Sequence, residues 1–336
     1  MQAFLSLLMV LLVLGTEAAA QTVRDANASF IDVATRRAEL RDAVSPRVKA
    51  ALAALQPCPG QTPAPPTRSN GAAPHSYVAM EETVSAAATR YVATGDIGEA
   101  RCVLDVLDSW ATAGALLGYS RRDSLQTWFN VQWAATSAAL SLSVVRSSPA
   151  RDDARLLAMT EWLVQVAEHQ LSQLPDEREV AARWIKDHNA YWRGLMAASI
   201  GVIARNGELF RLGLRTFSGA IAGLDARNTW PFAEGASLYE HNLGLQPLIL
   251  IAELAARQDV DLYSVQVNGR SIHDAVRTVV EDSRARETFK PGAGDLAWAE
   301  FYVRRFPESP ARELLTAPQF NRRLGGGATV YVAPAR

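Results

Sequence analysis

The sequence lacks any long hydrophobic run: its main apolar stretch, residues 4–14, has 11 residues, too few to cross a bilayer core of ~30 Å. A polytopic membrane protein is excluded. It also lacks an excess of charge of either sign, with 34 Lys+Arg against 35 Asp+Glu in 336 residues. A general nucleic-acid binder, which needs a strongly basic surface to neutralise phosphates, is excluded as well. Proline (16) and glycine (21) are too scarce for a collagen-like or low-complexity chain, and 49% apolar residues exclude disorder. Lysine is almost absent, confined to Lys49, Lys186 and Lys290, so the basic groups are arginines, whose planar fork bonds carboxylates bidentately. Cysteine is limited to Cys58 and Cys102, and the five histidines (His75, His169, His188, His241, His273) show no HExxH-type spacing, so no metal site is expected.

The apolar stretch is followed by Ala18-Ala19-Ala20, which reads as a secretory signal peptide over residues 1–20. Its removal takes away Glu17 and leaves 34 positive against 35 − 1 = 34 negative charges. A periplasmic or secreted protein with no membrane association after cleavage is expected. In such an oxidising compartment Cys58 and Cys102 pair as one disulfide, the alternative being two buried thiols. Residues 81–93, 98–117, 125–145, 153–174, 190–204, 208–224, 243–256 and 272–282 repeat apolar positions every three or four residues. No comparable run alternates with a period of two. The class is therefore all-α, with turns at Gly95-Asp96, Asn206-Gly207 and Pro291-Gly292, in a single domain over 21–336. One long irregular segment, rich in Pro and Gly, lies near 57–77 and holds Arg68; it reads as a lid-like loop able to close over an anion, or as a surface connection tied down by Cys58.

Two segments carry the chemistry: Lys186-Asp187-His188-Asn189-Ala190-Tyr191-Trp192, and Tyr239-Glu240-His241-Asn242 followed by Leu243-Gly244-Leu245-Gln246-Pro247. They resemble the two signature segments of the periplasmic alginate lyases, the poly(β-D-mannuronate) lyase family, which carry an Asn-Asn-His-x-Tyr-Trp run and a Tyr-His-Asn run. Cys58-Pro59, Ala100-Arg101-Cys102, the stretch from Trp110 to Leu116, Trp128, the run from Ala297 to Tyr302 and the closing Phe320 to Gly326 resemble the same family, so the likeness covers roughly residues 52–330. The resemblance implies an incomplete (α/α) toroid that cleaves uronic-acid polymers by β-elimination, with no metal or organic cofactor. That reaction removes the C5 proton beside a carboxylate and expels the 4-linked oxygen, so it needs a neutraliser, a base and an acid. Here Asn189 is expected to bind the carboxylate, His188 to take the proton and Tyr239 to protonate the leaving oxygen. In the family a tyrosine can serve as both base and acid on mannuronate.

The departures are specific. Aligned on Tyr191-Trp192, the Asn-His order is reversed, so Asn189 occupies the histidine place; aligned on His241-Asn242, the family tyrosine falls on Glu240, with Tyr239 one residue early. One residue is about 100° around a helix. The family's arginine seven residues before its tyrosine is also missing: counting back from Tyr239 gives Phe232, and Arg193, Arg183, Lys186 or Arg227 are the substitutes in view. Substrate contacts are expected from Trp192, Arg193, His241, Trp128 and Arg68, with Trp128, Trp133 and Trp192 either stacking on sugar or packing in the core, and Arg322-Arg323 as a solvated pair. The expected partner is an anionic polysaccharide, mannuronate-rich alginate first, and the chain is expected to act as a monomer. The alternatives are a lyase for another polyuronate such as glucuronan, and a non-catalytic polysaccharide-binding protein.

Overall fold

The computed structural model describes residues 22–66, 74–122, 124–174, 188–232, 238–285, 291–292 and 294–335. Its helices are α1 (Val33–Arg41), α2 (Pro46–Ala54), α3 (Pro74–Thr94), α4 (Ile97–Thr112), α5 (Leu125–Val145), α6 (Asp153–Ser172), α7 (His188–Ile203), α8 (Gly207–Ala222), α9 (Leu238–Ala256), α10 (Ile272–Ala285), α11 (Ala297–Arg305) and α12 (Ala328–Val332). Among the described residues the only β contacts are two isolated bridges, Val267 with Arg270 and Asn321 with Gly326. The all-α expectation holds, and α5 coincides with its predicted bounds. The loop after Pro57 ends sooner than expected, because α3 begins at Pro74, a residue suited to a first turn where no N–H partner is needed.

Local chemistry starts the helices. Ser124 caps α5 by accepting from Thr127 N at 3.2 Å, Asp152 caps α6 by accepting from Ala154 N and Arg155 N at 3.0 and 3.1 Å, and Asn206 caps α8 through Glu208 N and Leu209 N at 3.0 and 3.1 Å. Short connections fold each helix back on the next, giving the pairs α3/α4, α5/α6, α7/α8 and α9/α10. The first member of each pair also packs on the first member of the next, so α3, α5, α7 and α9 form an inner layer. The burial pattern agrees: α7 is buried from Ala190 to Ile203, and α5 almost throughout from Val131 on, whereas α8 buries one face only. This is the incomplete (α/α) toroid. α7 and α8 approach closely because Gly201 has no side chain; a Cβ there would stand 2.4 Å from the backbone N of Phe210.

The alternation has a consequence for the site. Since each inner helix is separated from the next by one returning helix, all four inner helices run in one direction, and their first turns share one rim. Along the inner helices lies the C-terminal strap, which turns at Gly325 and Gly326 with φ of 84° and 124°. At Gly326 a Cβ would meet Thr89 Oγ1 at 2.3 Å, so only glycine lets the strap lie this close to α3. The Cys58–Cys102 disulfide, with Cα atoms 6.2 Å apart, ties the segment after α2 to α4. Trp110 Nε1 donates to Pro63 O at 2.8 Å and holds that segment further along.

Candidate active site

The rim gathers both signature segments. His188 and Asn189 occupy the first turn of α7 and are half-buried. Tyr239 lies in the first turn of α9 and is 48% exposed. The two turns meet through Phe232: its ring stands 5.7 Å from His188, edge to face, and 5.4 Å from His241, stacked. Phe232 is the residue at the place of the absent arginine. Where a cation was sought, the structure has an aromatic spacer between two imidazoles.

His241 is buried, stacked on Trp230 at 6.1 Å as well as on Phe232, and its Nδ1 has no hydrogen-bond partner among the described residues. Burial pushes its pKa down against the opposing pull of Glu240, Asp282 and Asp225, so the ring is neutral. Asn242 is part of the frame. Its amide donates to Asp295 O at 2.9 Å and accepts from Trp298 Nε1 at 2.7 Å, while Gln246 accepts from Asn321 Nδ2 at 2.9 Å. This ladder of amides fastens the C-terminal strap to α9.

Three expectations on the rim are corrected by burial. Trp192 (1% exposed) and Trp128 (2%) present no ring face to a sugar; Trp192 packs against Trp133, centroids 6.3 Å apart. Arg193 is also buried, its guanidinium 5.1 Å from the Trp128 ring, with Arg121 at 5.7 Å from the same ring. These groups build the wall behind the cleft. Arg322 and Arg323 are not a solvated pair. Arg322 Nε binds the buried carboxylate of Glu81 at 2.6 Å, and the Arg323 guanidinium lies flat on Trp133, 3.6 Å from its centroid. Burial lowers the Arg323 pKa, and Glu81 opposes that shift. Burial likewise raises the Glu81 carboxyl, against Arg323 and Arg322. An arginine so lowered is still a cation at neutral pH. Arg227, exposed, pairs with Asp225 at 3.6 Å and lies near His241. Residues 1–20, Arg68, Arg183 and Lys186 lie outside the described residues.

The rim therefore offers an exposed phenol, a half-buried imidazole and carboxamide, and the half-buried Arg323 guanidinium held by a tryptophan, beside two helix N-termini whose partial positive charge favours an anion. Such a set suits the binding of a carboxylate next to a carbon that loses a proton. Sequence reasoning missed Arg323, Glu81 and Phe232. The first was within reach, since the closing Phe320 to Gly326 run was recognised as a motif and Arg323 lies inside it.

Comparison with known proteins gives the family. The family described as alginate lyase matches residues 59–289. A polysaccharide lyase of Stenotrophomonas maltophilia is 28% identical over 254 residues, 71% of this chain and 74% of its own length. An alginate lyase of Azotobacter vinelandii is 27% identical over 279 residues, 76% and 72% of the two chains. Among solved structures, alginate lyase A1-III of Sphingomonas species A1 superposes with a TM-score of 0.83 at 33% identity, covering 94% of this chain and 98% of that one. A histidine-to-alanine variant of A1-III complexed with tetrasaccharide matches equally, with a TM-score of 0.83 at 33% identity over 93% and 97%. The chain belongs to the alginate lyase family. It is an enzyme, a polysaccharide lyase.

Proposed function

We propose that the protein cleaves mannuronate-rich alginate by β-elimination in this cleft, leaving a 4,5-unsaturated uronate end. Arg323 and Asn189 bind the carboxylate that activates C5, His188 takes the C5 proton, and the Tyr239 hydroxyl protonates the departing 4-linked oxygen. The C5–H and C4–O bonds break, the C4–C5 double bond forms, and no charge is left on the sugar beyond its carboxylate. The observation that carries this reading is the gathering of both signature segments on one rim: His188 and Asn189 open α7, Tyr239 opens α9 with 48% of its surface exposed, and Phe232 joins the two turns, while Trp133 holds the Arg323 guanidinium at 3.6 Å. Phe232 supports His188 from one side and Trp230 supports Tyr191 at 5.6 Å, so the first turn of α7 is set by aromatic packing. The chain acts as a single-domain monomer, periplasmic or secreted after loss of the 1–20 leader; the apolar leader supports this location.

Ultraviolet monitoring of unsaturated product, with polymannuronate, polyguluronate and glucuronan as substrates, tests the reading. Product from polymannuronate, lost in both His188→Ala and Tyr239→Phe, is expected. Product from glucuronan alone would transfer the assignment to another polyuronate, and binding without product from any of the three would make the protein a polysaccharide binder.

A further inference from the structure

A cavity of about 560 Å³ lies away from the cleft, between α10, α11 and the turn after α11, and none of its lining residues belongs to the rim. Its wall is aromatic: Phe306 stands 4.8 Å from His273 at 90° and 4.9 Å from Tyr302. Its edges carry Arg277, Arg305 and Glu308, all exposed. We propose that this cavity is a second binding site for an anionic sugar, a uronate unit recognised independently of the catalytic cleft. The proposal rests on the polyuronate reading of the cleft and adds to it a remote contact for the same polymer.

The polar groups are prepared for such a ligand. Burial pushes the Tyr302 phenol up to about 12, so it keeps its hydrogen, and its oxygen shares a hydrogen bond with His273 Nδ1 at 2.7 Å that fixes the imidazole ring in the cavity wall. Arg277 is steadied by one bond from Nη2 to Asp274 at 2.6 Å, and Arg305 by two bonds to Glu253, each 3.0 Å. Each guanidinium has five N–H groups, so both retain donors beyond these pairs. An aromatic wall with two fixed forks at its edge matches a pyranose face bearing a carboxylate. A cationic ligand would meet two arginines, and a neutral sugar would leave both forks unused. Asp274, Glu253 and Glu308 outnumber the two arginines, so the site has no net positive charge and a single uronate binds weakly here; the gain comes from a polymer that reaches both sites, because tethering raises the effective concentration of the second contact.

The test uses the whole protein with two substitutions outside the cleft, Arg277→Gln and Glu308→Lys, read by retardation in native gels containing polymannuronate and by kinetics on polymer and on tetrasaccharide. Arg277→Gln is expected to weaken retardation and raise the polymer KM about five-fold, with kcat and tetrasaccharide turnover unchanged, and Glu308→Lys to do the opposite. Dextran gels supply the neutral control. Saturation-transfer resonance with free mannuronate separates the two sources of the ligand: a signal lost in Arg277→Gln without a change in polymer KM assigns the cavity to released sugar, and a KM change assigns it to the chain. If both variants match the unsubstituted protein in retardation, polymer KM and monosaccharide signal, or if tetrasaccharide turnover falls in step with polymer turnover, the second site does not exist. Should no polyuronate be cleaved at all, retardation still decides: loss in Arg277→Gln keeps the site, and equal retardation removes it.

Discussion

Replacing Arg323 by Met removes the cation proposed to bind the substrate carboxylate while keeping a side chain long enough to cover Trp133. Its magnitude follows from position. A unit charge about 4 Å from a substrate carboxylate, at the effective dielectric of ~20 found near protein surfaces, contributes about 4 kcal/mol. The cleft admits water, which reduces this to roughly 3 kcal/mol, or about 150-fold in kcat/KM. Arg323→Lys keeps the charge and loses the flat contact and the second donor, and is expected to recover about tenfold of that loss. The cost to folding is small by comparison, because Arg322 still pairs with Glu81 at 2.6 Å and the lost cation–π contact is worth about 1–2 kcal/mol. A chain of this length shifts its melting temperature by only about 3 °C for such a change. Initial rates on polymannuronate, with thermal melts on the same samples, give both numbers. A kcat/KM within fivefold of the unsubstituted enzyme for Arg323→Met, with an unchanged melt, would refute the role assigned to this arginine.

Removing the disulfide with Cys58→Ser and Cys102→Ser frees a loop closed over a sequence separation of 44, which on the chain-entropy account costs about 4 kcal/mol and about 6 °C of melting temperature. Calorimetry of the double variant checks this, and a shift under about 2 °C would show that the contact of Trp110 with Pro63 already holds the segment. Burial lowers the His241 pKa from 6.5, so the unfolded chain takes up a proton that the folded one refuses; stability from this group is full above 6.5 and declines as pH falls towards the lowered folded value. Melting temperatures measured from pH 7 to pH 5 are expected to fall less steeply in His241→Phe than in the unsubstituted protein. Parallel slopes would place the titrating group elsewhere.

The helices were legible because their apolar spacing is strong and their caps are local; α5 is bounded by Ser124 and α8 by Asn206, both readable as N-cap residues. What escaped was long-range. The Glu81 contact with Arg322 spans 241 residues, and nothing near either residue announces it. The three rim aromatics show the same limit from the other side: tryptophan at a helix start is compatible with a sugar platform or a wall, and only the approach of Trp133 to Trp192 and of Arg193 to Trp128 decides for the wall. Phe232 could not be read at all, because its meaning depends on two histidines that meet only after α7 and α9 pack together.

The shifted motifs can be reconciled with a conserved frame by asking which part of each helix they touch. Behind the first turns, α7 continues into Tyr191 and Trp192, both buried, and α9 into Asn242 and Gln246, whose amides grip Asp295 and Asn321. Those contacts fix rotation of each helix about its axis, so a one-residue offset cannot be absorbed by turning the whole helix. His188, Asn189, Tyr239 and Glu240, however, all lie in first turns, which the helix's own hydrogen-bond ladder constrains less than the turns that follow. Exchange of proton-handling groups therefore costs least at these four positions and most one turn later. The reordering of Asn and His and the arrival of Glu240 in the tyrosine register fall where the fold tolerates them.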